Sequence, residues 1–105
     1  MIVRIDRFLK VGLEQPEEFK KFSVQVEGDQ ADLERIRPAV RTAGDLVDSA
    51  VMWVSEDWLR QAPGCAGDPG WQQGVSKMIE FARKHGWVRE PSGEIRAHVV
   101  WVPVT

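Results

Sequence analysis

The segment that most constrains this chain runs from Asp68 to Gly86. Asp68 is a residue type that caps helix N-termini. Pro69 suits the first helical position, where its missing N–H would have no partner anyway. Gly86 is the residue that closes helices through a left-handed turn. At about 100° per residue, Trp71, Val75, Met78, Ile79, Phe81 and Ala82 fall on one side. Gln72, Gln73, Ser76, Lys77, Glu80, Arg83 and Lys84 fall on the other. Glu80 and Lys84 can pair at i,i+4, and Lys84 and His85 stand at the negative end of the helix dipole. A helix over 69–85 with one oily side needs an apolar surface to seal, so the remaining residues must supply one. Gly70 and Gly74, four apart, permit close approach by a neighbouring element or a second subunit.

The rest of the chain reads mainly as strands. Residues 1–11 place Val3, Ile5, Leu9 and Val11 on one face, with Arg7 interrupting, and predict one strand ended by Gly12. Pro16 to Lys21 reads as one helical turn. Phe22, Val24 and Val26 alternate with Ser23 and Gln25, a half-buried strand. Asp29 caps the next helix, which carries Leu33, Ile36 and Val40. Pro38 inside that helix predicts a kink or two short helices ending near Gly44. Ser49–Val54 reads as a buried strand, because Ser55-Glu56-Asp57 is an N-cap signature opening a short helix over 56–62. After Gly86, Trp87–Glu90 and Glu94–Val102 flank Pro91-Ser92-Gly93 as a hairpin. The last strand carries Ile95, Ala97, Val99 and Trp101 on one face. The predicted order is β-β-α-β-α-α-β-β: one α+β domain over 1–105, with a mostly antiparallel sheet of four to five strands and helices on one face.

Composition narrows the function classes. The chain has 105 residues, 43% of them hydrophobic, enough for a single packed core. Lys and Arg total 14 against 16 Asp and Glu, a net charge of -2, which excludes a strongly basic nucleic-acid wrapper and a strongly acidic tail. One cysteine excludes a disulfide framework and a multi-thiolate metal site. No stretch is long and apolar enough to span a bilayer, and no basic-then-apolar leader is present, so the expectation is a cytoplasmic protein with no membrane partner. No phosphate loop, dinucleotide fingerprint, nucleophile elbow or helical His pair occurs, so no cofactor and no metal are predicted.

The run Val75-Ser76-Lys77-Met78-Ile79-Glu80-Phe81-Ala82-Arg83-Lys84-His85-Gly86-Trp87-Val88, a helix closed by Gly–apolar–Val and followed by a hairpin, resembles a winged-helix DNA-binding domain. The pattern extends over residues 30–102. The resemblance implies a recognition helix whose Gln72, Gln73, Ser76, Lys77, Arg83 and Lys84 enter the major groove, with Arg89 and Arg96 on the wing at the phosphate backbone. Strands 1–11 and 20–27 decide the matter. If they pair with the final hairpin, the chain builds one sheet and the resemblance loses its footing.

Five tryptophans and no tyrosine make the chain tryptophan-rich. Trp53, Trp71 and Trp101 read as core anchors. Trp58, in a short helix just before a Pro/Gly loop, reads as a contact residue, with Cys65 and Trp71 flanking the same loop. Cys65 before a helix N-terminus is a weak nucleophile candidate, because it lacks a neighbouring base in the sequence. His98 is an acid–base candidate if Asp6 or Asp48 lies beside it, in a tryptophan-lined pocket of a small enzyme or ligand-binding protein. With no catalytic motif, the leading expectation is a protein-interaction or regulatory module that docks on a protein partner or on itself as a homodimer. Nucleic-acid binding is the alternative.

Overall fold

Glu94–Val102 is the longest strand and the axis of the molecule. Its residues Ile95, Ala97 and Val99 are buried while Arg96, His98 and Val100 are exposed, the period of two that lets one face of a sheet seal a core. The computed structural model describes residues 1–104. Along the chain the elements are β1 (Ile2–Ile5), β2 (Val11–Glu14), β3 (Ser23–Glu27), a 3-10 turn (Gln30–Asp32), α1 (Leu33–Ala39), β4 (Gly44–Leu46), β5 (Val51–Val54), α2 (Glu56–Arg60), α3 (Pro69–Lys84), β6 (Val88–Arg89) and β7 (Glu94–Val102).

All seven strands form one mixed sheet in the order β2-β1-β3-β7-β5-β4, with β6 also paired to β7. The sheet curls into a half-barrel. β7 carries three partners because it is long. β5 runs antiparallel along one edge, with Val51 opposite His98 and Val54 opposite Ile95. The other edge is shared: β6 pairs at Glu94 and Ile95, and β3 runs parallel from His98 to Val102. β1 is parallel to β3, and β2 folds back antiparallel on β1.

This corrects the expected sheet of four to five mostly antiparallel strands, although the class remains α+β. The order is β-β-β-α-β-β-α-α-β-β. The single strand expected over 1–11 is a hairpin, and β4, just past the expected helix end at Gly44, forms a second hairpin with the strand expected over 49–54. In the first, the Asp6 carboxylate accepts from the amides of Phe8 (2.9 Å) and Lys10 (3.0 Å). Leu9 adopts a positive φ of 65°, and the chain reverses. The interruption at Arg7 marked that turn. In the second, Asp48 accepts from Ala50 (2.8 Å) and Val51 (2.9 Å), separating β4 from β5. Residues 16–21 form turns rather than a helix. The winged-helix pattern is also corrected. β3 lies directly against β7, so the N-terminal strands and the final hairpin belong to one sheet.

The helices form where their caps are. Asp29, Ser55 and Asp68 each accept from backbone amides at the start of the next helix. Pro38 sits in the last turn of α1, where the helix is already ending, so the break expected at Pro38 does not form. The helix stops at Ala39 rather than near Gly44, and the 3-10 turn at Gln30–Asp32 precedes it. Two apolar clusters fill the interior. In one, Ile36 of α1 and Val40 just after it meet Val3, Ile5, Val24, Val26, Met52, Val54, Ala97 and Val99. In the other, Trp71, Val75, Ile79 and Ala82 of α3 meet Met1, Leu59 and Ile95. The Met1 amine donates to the carbonyls of Glu18 (2.8 Å) and Lys21 (2.6 Å), tying the 15–22 segment to the sheet. Burial lowers that amine's pKa from its ordinary range, with Glu18 opposing the shift.

Gly44 marks the tightest backbone approach in the sheet. A Cβ there would overlap the carbonyl of Trp53 on β5. Gly44→Ala is therefore expected to cost about 2–3 kcal/mol through overpacking and ladder displacement. Gly28→Ala, into open space, is expected to change stability by less than about 0.5 kcal/mol. Urea midpoints at unchanged slope check the pair.

Candidate functional site

The oily side of α3 is narrower than its sequence pattern. Trp71, Val75, Met78, Ile79 and Ala82 are buried, but Phe81, read with them, is 58% exposed. Phe81 lies on the shoulder of the stripe, one turn from both Lys77 and Lys84, where α3 leaves the core. His85 follows at i+4 with its ring centroid 4.4 Å from that of Phe81, and its Nδ1 lies 2.9 Å from the Phe81 carbonyl oxygen. The left-handed Gly86 (φ 75°) then reverses the chain, and the Trp87 amide donates to Ala82 O (2.9 Å). The reversal stacks Trp87 on His85 at 4.6 Å, leaving Trp87 40% exposed. A helix end that would otherwise be polar thus carries three aromatic rings on the surface.

Beside these rings runs a groove. Its far wall is the 15–22 segment, where Phe19 lies over Gly74 so closely that a Cβ on Gly74 would overlap the ring. The Gly70/Gly74 spacing thus resolves into one intramolecular contact at Gly74, while Gly70 is exposed. Two adjoining hollows of about 270 and 540 Å³ share Phe19, Lys20, Met78 and Phe81. The smaller extends to Phe22, Trp87 and the β7 backbone, where the β7 edge passes from β6 to β3. Three cations line the hollows: Lys20, Lys77 and Arg96. No carboxylate lines either one. None of the three cations forms an ion pair among the described residues.

The polar face of α3 is divided. Arg60 of α2 donates to Gln72 Oε1 (2.9 Å) and Ser76 Oγ (2.9 Å) while pairing with Glu56 at 2.8 Å. Gln72 in turn donates to Arg60 O. Arg83 pairs with Glu90 at 2.9 Å. Arg89 pairs with Glu94 (2.6 Å) and Asp45 (3.2 Å) and lies 5.0 Å from the Trp53 ring centroid. The Glu94 hydrogen bond is the main cause of its raised pKa, against a smaller desolvation effect. Of the residues the winged-helix pattern assigned to DNA, only Gln73, Lys77, Lys84 and Arg96 have no side-chain hydrogen bond or ion pair among the described residues. Gln73, Lys77 and Lys84 share one face of α3 with Glu80 among them, while Arg96 stands apart on β7.

The three predicted contact residues converge at another place. Trp58 and Cys65, both half-buried, line a concavity of about 430 Å³ with Val11, Gly12, Leu13, Pro16 and Ala62. Trp71 stands behind it, 5% exposed, and its Nε1 donates to Pro16 O (2.8 Å), holding the wall. No histidine or carboxylate lines the concavity, so Cys65 has no base there. His98 is exposed and lines the smaller hollow beside Trp87 and Arg96, but no carboxylate lines that hollow to pair with it. Its proposed carboxylate partners are committed to turn amides, Asp6 at residues 8 and 10 and Asp48 at residues 50 and 51. No group of three metal-ligating side chains occurs among the described residues, and no helix is long and apolar enough to cross a membrane.

Comparison with family models, curated proteins and solved structures gives no match, so the site's own geometry carries the functional reading. Sequence reasoning missed Phe19, Lys20, Phe22, Phe81 and Trp87. The signals were the Phe-Lys-Lys-Phe run at 19–22 and the position of Phe81 at the edge of the apolar arc, beside Lys77 in the helical projection. Ile79→Ala is expected to cost about 2–5 kcal/mol. Phe81→Ser is expected to cost less than about 1 kcal/mol, because exposed positions give up little on substitution. Thermal unfolding of the two variants separates the sealed side of α3 from its open shoulder.

Proposed function

We propose that this protein is an interaction module that captures an apolar segment of another protein flanked by carboxylates. The docking surface is the groove between the 15–22 segment and α3. The observation that carries the reading is the exposure of Phe81 and Trp87 on a cation-lined, carboxylate-free hollow. Large exposed aromatics in a concave patch are characteristic of binding surfaces, since covering them recovers about 25 cal/mol per Å² of apolar area. The three unpaired cations add the selection. A segment bearing Asp or Glu beside its apolar anchors is drawn in, and one bearing Lys or Arg is repelled. Nucleic acid fits the groove less well, because the cations surround an apolar hollow rather than form a stripe.

The test uses two fluorescein-labelled peptides with the same Leu-Phe core, one flanked by aspartates and one by lysines. Anisotropy titration at low salt is expected to show binding of the acidic peptide only. Phe81→Ser is expected to weaken it at least tenfold with the fold intact, and Lys20→Glu with Lys77→Glu to do the same. Equal binding of both peptides, or an unchanged affinity in Phe81→Ser, overturns the reading. A duplex oligonucleotide retained in preference to the acidic peptide would favour the nucleic-acid alternative.

A further inference from the structure

The geometry points to a homodimer built by β2 pairing antiparallel with β2 of a second copy, an inference independent of the groove on α3. The sheet ends on one side in β4 and on the other in β2. The β4 end is closed. Gly44 and Leu46, whose backbone groups point away from β5, are buried, and the Gly44 amide donates to Val40 O. The β2 end is open. Ladder geometry assigns its groups: Asp6 N–H donates to Lys10 O, so Lys10, Gly12 and Glu14 turn their backbone toward β1. Val11 and Leu13 therefore turn their amides and carbonyls outward. Surface hollows of about 430 and 230 Å³ lie on the two faces of this edge, and no described residue bonds to the outward groups of Val11 and Leu13.

The edge is complementary to itself. Pair it antiparallel with a second copy about a two-fold axis at Gly12. Val11 then opposes Leu13 of the second copy, and Leu13 opposes Val11. Both are hydrogen-bonded pairs, which exchange two bonds each. Gly12 opposes Gly12, where no side chain intervenes. Lys10 opposes Glu14 on both sides of the axis. Lys10 has no ion pair among the described residues, and Glu14 reaches only Arg4, at 4.0 Å. Moving the axis to Val11 sets Lys10 against Gly12, and moving it to Leu13 sets Glu14 against Gly12, so only the Gly12 axis pairs unlike charges. On the inner face, the second copy's Leu13 and Val11 extend the apolar surface already formed by Val11, Leu13 and Trp58. Such isologous pairing joins two sheets into one and removes an exposed edge, the commonest form of closed homodimer symmetry.

Charge reversal tests it on the full chain. Sedimentation equilibrium of the wild type from micromolar to millimolar concentration is expected to show a monomer–dimer equilibrium. Lys10→Glu places Glu against Glu, and Glu14→Lys places Lys against Lys. Each acts twice per dimer and is expected to weaken association at least tenfold, with an unchanged circular dichroism spectrum. An equimolar mixture of the two variants restores unlike pairs at both ends and is expected to recover dimer to within a few-fold of wild type. A wild type that stays monomeric at millimolar concentration overturns the proposal. So do variants that dimerise as well as wild type, and so does a mixture that fails to associate.

Discussion

The sheet depends on β7 sharing its edges among three strands. Nine residues are long enough for β6 and β3 to sit end to end along one side while β5 takes the other. The same strand joins the two halves of the interior. Ile95 belongs to the cluster under α3, and Ala97 and Val99 belong to the cluster under α1. Every other strand is placed by its distance from β7. The parallel pairs β1–β3 and β3–β7 exist because the chain must cross from the N-terminal hairpin to the far edge before returning to the centre.

The handover along β7 also makes the groove. Where β6 ends and β3 begins, β7 is flanked by the approach to each strand, Trp87 on one side and Phe22 on the other. α3 lies across this position but seals only part of it, because its apolar arc turns away from the sheet at Phe81. The Met1 amine holds the 15–22 segment near by, and Phe19 closes over Gly74. An apolar hollow with open shoulders follows from the geometry of packing one straight helix over a curled sheet. The unusual feature is its rim, where cations stand without the carboxylates that pair most other arginines of this protein.

Local signals in the sequence translated faithfully wherever a side chain bonds to nearby backbone. The caps at Asp29, Ser55 and Asp68, the stop at Gly86 and the hairpin over 87–102 all form as read, because their partners lie within four residues or in an adjacent strand. The turns at Asp6 and Asp48 use the same chemistry. The first was hidden inside an apolar run, where alternation on both sides of a reversal looks like one long strand. The second was hidden because β4 is only three residues long and adjoins the expected helix end. Phe81 was misplaced because helical periodicity gives an angle and says nothing of where the neighbouring surface ends. The loop cysteine and Trp58 do share a concavity, yet their neighbour Trp71 serves as its support from inside the core.

By itself, then, the sequence determined an α+β chain with capped helices, a dominant amphipathic helix over 69–85 and a terminal hairpin. These follow from short-range hydrogen bonding and from the period of apolar residues. Of the three tryptophans expected as core anchors, only Trp71 is buried, while Trp53 and Trp101 are half-buried. Only the tertiary structure decided the seven-strand mixed order, the closed and open ends of the sheet, and the surface at which Phe81, Trp87, Phe19 and the unpaired cations meet. Parallel pairing and surface juxtaposition bring together residues from distant parts of the chain, and no local pattern records which distant segment will be the neighbour.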